Sequence, residues 1–124
     1  MRKWLLGLTL AAMPFAPAFA QSMPVATFLA RMDALQSKGA VALTSSDLGL
    51  LKDEVAAAGK SLREERLAAA AAGRKPAYCP PDKGSMDSDE LIAAMRAIPP
   101  AERPRTDVRS ALKALMIRKY PCPA

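Results

Sequence analysis

The segment Gly73-Arg74-Lys75-Pro76-Ala77-Tyr78-Cys79-Pro80-Pro81-Asp82-Lys83-Gly84 limits what this chain can fold into more than any other stretch. It packs three prolines and two glycines into twelve residues. No helix continues through such a run, because each proline lacks a donor and crowds the preceding turn. The 124-residue chain is thereby divided into two halves, residues 21–72 and 85–124, joined by a stiff connector. The connector also carries Cys79, one of only two cysteines; the other is Cys122, near the last residue.

Both halves read as helical, and neither contains a convincing strand. In the first half Phe28, Leu29, Met32 and Leu35 form one stripe, predicting a helix from about Val25 to Ser37 with Gly39 as a stop. Thr44-Ser45-Ser46-Asp47 supplies several N-cap candidates for a second, longer helix. Its stripe is Leu48, Leu51, Val55, Ala58 and Leu62, and it extends through the alanine run to Gly73. Gly49 and Gly59 each weaken that helix by about 1 kcal/mol relative to alanine, so two shorter helices bent near Gly59 are the alternative. Lys60 and Glu64 have the spacing of an ion pair along it. In the second half Asp87-Ser88-Asp89-Glu90 fits a capping box, followed by Leu91, Ile92, Met95 and Ile98 and then the stop Pro99-Pro100. The last helix begins near Thr106-Asp107 and presents Val108, Ala111, Leu112, Leu115 and Met116. Arg118 and Lys119 suit its negative end.

The first twenty residues address the chain rather than build it. Arg2-Lys3 precedes the apolar run Trp4–Met13, and Ala18-Phe19-Ala20 places small residues at the −3 and −1 positions before Gln21. That is the pattern of a secretory signal cleaved after Ala20. The run is too short for a transmembrane anchor and is interrupted by Pro14 and Pro17, so no stable membrane anchor is expected. No cysteine follows the cut to accept a lipid. A periplasmic or secreted mature domain, residues 21–124, is the expectation.

In an oxidising compartment Cys79 and Cys122 read first as an intramolecular disulfide; free thiols, or bridges to a second subunit, are the alternatives. Closing that loop is worth about 4 kcal/mol in chain entropy. The domain needs such help. Its only aromatic residues are Phe28, Tyr78 and Tyr120, and its apolar content is rich in alanine, which adds little area at about 25 cal/mol per Å² buried. The expected fold is all-α, a small four-helix domain tied by one disulfide.

Composition also narrows the chemistry. Histidine is absent, which removes the commonest general base and metal ligand. Paired cysteines leave zinc without soft ligands. Glu64 and Glu65 diverge on a helix rather than forming a dyad, while Asp87, Asp89 and Glu90 suit a first helical turn. The serines have no histidine partner, and no glycine-rich phosphate loop is present. No catalytic, cofactor or metal residues are expected, and the chain is not read as an enzyme. The formal charge of +6 falls when Arg2 and Lys3 leave with the signal. The remaining cations are interleaved with acids, so nucleic acid is not an expected partner. Arg96, Arg103, Arg105 and Arg109 form the densest positive region. They read first as a solvated face, and alternatively as a contact for an anionic surface.

Tyr78-Cys79-Pro80-Pro81 and Tyr120-Pro121-Cys122-Pro123 are the most distinctive local features. The tyrosines read first as covers for the disulfide. As exposed anchors they would join Arg103 and Arg105 as the candidate partner-contact residues.

The second half resembles the resistance-associated (Rap/Tai) immunity proteins of type VI secretion. The likeness runs through Cys79-Pro80-Pro81, Asp89-Glu90-Leu91-Ile92, Ile98-Pro99-Pro100-Ala101-Glu102-Arg103 and Tyr120-Pro121-Cys122, and covers residues 78–122. It implies a small all-helical periplasmic domain, often a homodimer, with its cysteines bridged, that binds and blocks a cell-wall-cleaving effector. Outside that stretch the chain has its own lysine- and alanine-rich helix from Ser46 to Ala72 in place of the family's further cysteine and Gly-Tyr-containing helix. The expected function is non-enzymatic protein binding. A small periplasmic chaperone or envelope-stress protein is the alternative, since alanine- and methionine-rich helices expose adaptable apolar surface. A purely structural envelope component is the third.

Overall fold

A computed structural model describes residues 22–124; the segment read as a secretory signal, with its expected cleavage after Ala20, lies outside the described residues. Four α-helices make up most of the domain: α1 (Val25–Ser37), α2 (Ser46–Ala71), α3 (Ser88–Arg96) and α4 (Val108–Lys119). A 3-10 segment, Gly39–Thr44, links α1 to α2. Among the described residues there is no strand, only an isolated antiparallel bridge between Pro24 and Asp107. No helix among them is long and apolar enough to cross a membrane.

Side-chain chemistry at the helix ends explains where the elements start and stop. Ser45 caps α2 by accepting from the Asp47 amide at 3.3 Å, and Asp107 caps α4 by accepting from the Ser110 amide at 2.7 Å. Asp87 caps α3 through the Asp89 amide at 3.0 Å. The capping box expected there is only half used: Glu90 Oε2 accepts from Lys119 Nζ at 2.7 Å, across to the end of α4. Helix α2 runs unbroken through Gly59 and ends in a Schellman motif. Gly73 takes the left-handed conformation (φ 69°), which lets the Arg74 amide reach the Ala69 carbonyl at 2.8 Å and the Gly73 amide reach Ala70 at 3.1 Å. The alanine run therefore stops at a glycine, as glycine alone adopts that angle without cost.

The two halves share one core. Val25, Phe28, Leu29 and Leu35 of α1, Leu51, Ala58 and Leu62 of α2, Leu91 and Met95 of α3, and Val108, Ala111, Leu112 and Leu115 of α4 are buried together with Tyr78 of the connector. Helix α2 packs chiefly on α4, and α1 touches all three other helices. The N-terminal residues stitch the halves further. The Val25 amide donates to the Thr106 carbonyl at 2.8 Å, the Val108 amide to Met23 at 2.8 Å, and the Ala26 amide to Arg103 at 3.2 Å.

The covalent tie closes the other end of the molecule. The sulfurs of Cys79 and Cys122 are 2.06 Å apart, with their α-carbons at 4.8 Å, so the bridge is intramolecular. The Cys79 amide donates to the Tyr120 carbonyl at 2.8 Å, and the Tyr120 hydroxyl donates to the Ser85 carbonyl at 3.2 Å. Gly84 lies under that hydroxyl: a Cβ there would stand 3.3 Å from the Tyr120 oxygen and 3.2 Å from the Pro81 carbonyl.

Candidate functional site

The helical stripes that define the core also define a cleft. Met32, Leu48, Val55, Ile92 and Met116 belong to those stripes, yet each is only half-buried. All five line one half-open cavity of about 450 Å³ between α1, α2, α3 and α4. Its floor is made by core residues, among them Phe28, Leu51, Leu62 and Tyr78, and one wall by Gly84–Ser88 with Met86. Lys52, Asp87 and the serines of that wall are the polar groups at the cavity. Asp87 is already engaged in capping α3. The cavity falls in the range of volumes that accept a ligand or a partner's side chains, and three methionines (Met32, Met86 and Met116) give it an adaptable lining.

Nearby apolar surface is unusually open. Val41 is 68% exposed and Leu43 78% exposed in the 3-10 segment, and Leu50 is exposed at the start of α2. The sequence reading placed a helix stop at Gly39 and cap candidates at Thr44–Asp47 and assigned nothing to the residues between them.

The tyrosines and arginines named as candidate partner contacts meet different fates. Tyr78 is 5% exposed and belongs to the core, so its ring is not a surface anchor. Packing of α2, α3 and α4 around the connector draws it inward. Tyr120 is half-buried, with its hydroxyl held by Ser85 and the Lys119 ammonium 5.5 Å from its ring centroid. Arg103 is taken up by the fold as well. Its Nε donates to the Ile98 carbonyl at 2.9 Å and a terminal nitrogen donates to the Arg96 carbonyl at 2.7 Å, closing the C-terminus of α3. Arg105 alone of the four is fully exposed.

The remaining basic residues of that region are paired within the molecule. Arg96 meets Asp33 at 2.8 Å and joins α3 to α1. Arg109 donates to Ser61 at 2.8 Å and to Glu65, and Lys113 reaches Glu65 at 2.7 Å, so one carboxylate of α2 is shared by two cations of α4. The Lys113 hydrogen bond is the main cause holding the Glu65 carboxyl below its ordinary value; the charges of Lys113 and Arg109 act in the same direction. The Glu90 carboxylate raises the Lys119 ammonium above its ordinary value. The Lys60–Glu64 step is not among the ion pairs of the described residues, all of which join different helices. No group of three acidic or cysteine side chains among the described residues is placed to hold a metal ion.

No known protein family, curated protein or solved structure matches the chain.

Proposed function

We propose that this chain is a non-enzymatic protein-binding domain of the periplasm, and that its apolar cleft receives the partner. The observation that carries the reading is the convergence of Met32, Leu48, Val55, Ile92 and Met116, from four helices, on one half-open cavity. Side chains at core positions of a small domain are expected to close against each other, since each buried methylene contributes about 0.8 kcal/mol. Here they leave room for another molecule's apolar groups. The resemblance of residues 78–122 to the Rap/Tai immunity proteins supplies the kind of partner: a cell-wall-cleaving effector, blocked by steric occlusion. The disulfide and the Glu65 and Glu90 ion pairs supply the rigidity that occlusion needs.

A second reading, a periplasmic chaperone, is favoured by one observation. Methionines on three sides of the cleft suit varied apolar clients better than a single fixed one.

One experiment separates the two. The oxidised protein and its Ile92→Lys variant, which puts a charge into the cleft wall, are used to capture partners from periplasmic extract. The immunity reading expects one stoichiometric cell-wall hydrolase held by the wild type and lost with Ile92→Lys. A broad client set that grows after acid stress, and is also lost with the variant, selects the chaperone. Capture that is indifferent to the variant removes the cleft from both readings.

A further inference from the structure

A second cavity, of about 260 Å³, lies on the opposite side of Leu62 and Tyr78, between the end of α2, the connector and α4. Its charged lining is Arg66, Arg74, Lys75 and Lys113 against the single carboxylate of Glu65. That carboxylate is already committed to Lys113 and Arg109. Arg66, Arg74 and Lys75 enter no ion pair among the described residues, and Lys75 reaches only the neutral Pro123 carbonyl, at 3.2 Å. The negative end of α2 helps hold these cations together. It does not satisfy them.

Arg66 is the informative residue. Its guanidinium carbon lies over the ring of the buried Tyr78, 5.7 Å from the centroid, within cation–π range. In that position its Nε–H is buried without an acceptor, the only such side-chain atom among the described residues. That nitrogen has no accessible surface, so a ligand in the cavity would meet the rest of the Arg66 side chain, and the connector adds the Arg74 guanidinium and the Lys75 ammonium to the rim.

We propose that this cavity is a binding site for a phosphate monoester group, with Arg66 and Arg74 as its principal ligands and Lys75 at the rim. Charge selects phosphate over carboxylate. A phosphate monoester carries roughly −1.5 to −2 at neutral pH and three acceptor oxygens, which meets several unpaired cations, whereas one carboxylate leaves them in surplus. The planar guanidinium fork suits phosphate oxygens in geometry as well. The site is separate from the apolar cleft and stands or falls independently of it.

The test is a titration of the oxidised protein in phosphate-free buffer, followed through the backbone amide resonance of Lys75, which lines the cavity. Inorganic phosphate and glycerol 3-phosphate are expected to shift it saturably, with a dissociation constant of about 1 mM or tighter, and acetate to bind at least about tenfold more weakly. Arg66→Gln and Arg74→Gln are each expected to weaken phosphate binding about tenfold, while Arg63→Gln, exposed on α2 and outside the cavity, changes it less than about twofold. Arg74→Gln keeps the test valid if loss of the Arg66 contact with Tyr78 disturbs folding. Vesicles of phosphatidylcholine with phosphatidic acid, run in parallel, assign the source. Capture lost with Arg74→Gln assigns a lipid headgroup, and binding of the soluble phosphates without capture assigns a small molecule. The proposal is overturned by no saturable shift up to about 20 mM phosphate, by equal affinity for acetate, or by Arg74→Gln binding as the wild type does.

Discussion

Glu65 shows how single residues hold this small domain in register. It is half-exposed, yet it accepts from both Lys113 and Arg109, one helical turn apart on α4. Because its folded carboxyl lies below its ordinary value of 4.5, its contribution to stability is complete above that value and is lost as pH falls through the lowered folded value. Glu65→Gln is therefore expected to flatten the acid limb of a stability–pH curve and to lower the neutral-to-basic plateau without changing its slope. Lys119 has the opposite sign. Its raised value means that the Lys119 contribution is present below 10.5 and is lost as pH rises through the folded value, so Glu90→Gln should flatten the alkaline limb. Arg103 acts through geometry rather than titration. Arg103→Ala removes two donors from the exposed carbonyls of α3 and is expected to cost about 1–3 kcal/mol in urea unfolding. As a density of positive charge, residues 96–109 read first as a solvated face and alternatively as a contact for an anionic surface. The sequence could not show that the α3–α4 turn would carry Arg103 back onto the helix it follows.

At the level of elements, periodicity and end signals located all four α-helices, because each stripe faces the one shared core. The 3-10 segment Gly39–Thr44 escaped notice, since six residues are too few to display a period. The stripes also could not distinguish a side chain closed into the core from one left at a cleft wall. Leu51 and Leu62 are buried while Leu48 and Val55, on the same stripe, line the cavity. Gly59 sits among them in the continuous part of α2, and a Cβ there would meet nothing within 4 Å. Gly59→Ala is accordingly expected to stabilise the protein by about 1 kcal/mol. Thermal unfolding should record this as a rise of roughly 4–8 °C. A fall instead would mean that α2 needs its glycine to bend.

For the whole molecule, the disulfide and the N-terminal stitching act at opposite ends of one core. The bridge ties the connector to the end of α4, and residues Ser22–Ala26 tie the start of α1 to the start of α4. Ser22 is central to the second tie: its hydroxyl donates to Glu54 at 3.2 Å and accepts the Arg109 amide at 2.9 Å. Replacing both cysteines by alanine is expected to lower the unfolding free energy by about 4 kcal/mol, measured by denaturant titration against the oxidised protein. A loss below about 1 kcal/mol would show that the unbridged chain is already compact when unfolded.

The amino-acid sequence by itself determined the elements of this protein. Proline and glycine stop helices through local sterics, capping residues start them, and stripes at three- and four-residue steps declare which face turns inward. Those are properties of neighbouring residues, so they are legible in order along the chain. The pairing of Cys79 with Cys122 followed as the simplest pairing of two cysteines in a chain whose start reads as an export signal. Only the tertiary structure decided which stripe positions close and which form the cleft, that Tyr78 goes inward, and that Arg66 lies over its ring with an unpaired Nε–H. Each of these depends on how residues far apart in sequence approach one another, and that distance is set by helix packing and cross-links rather than by any local preference.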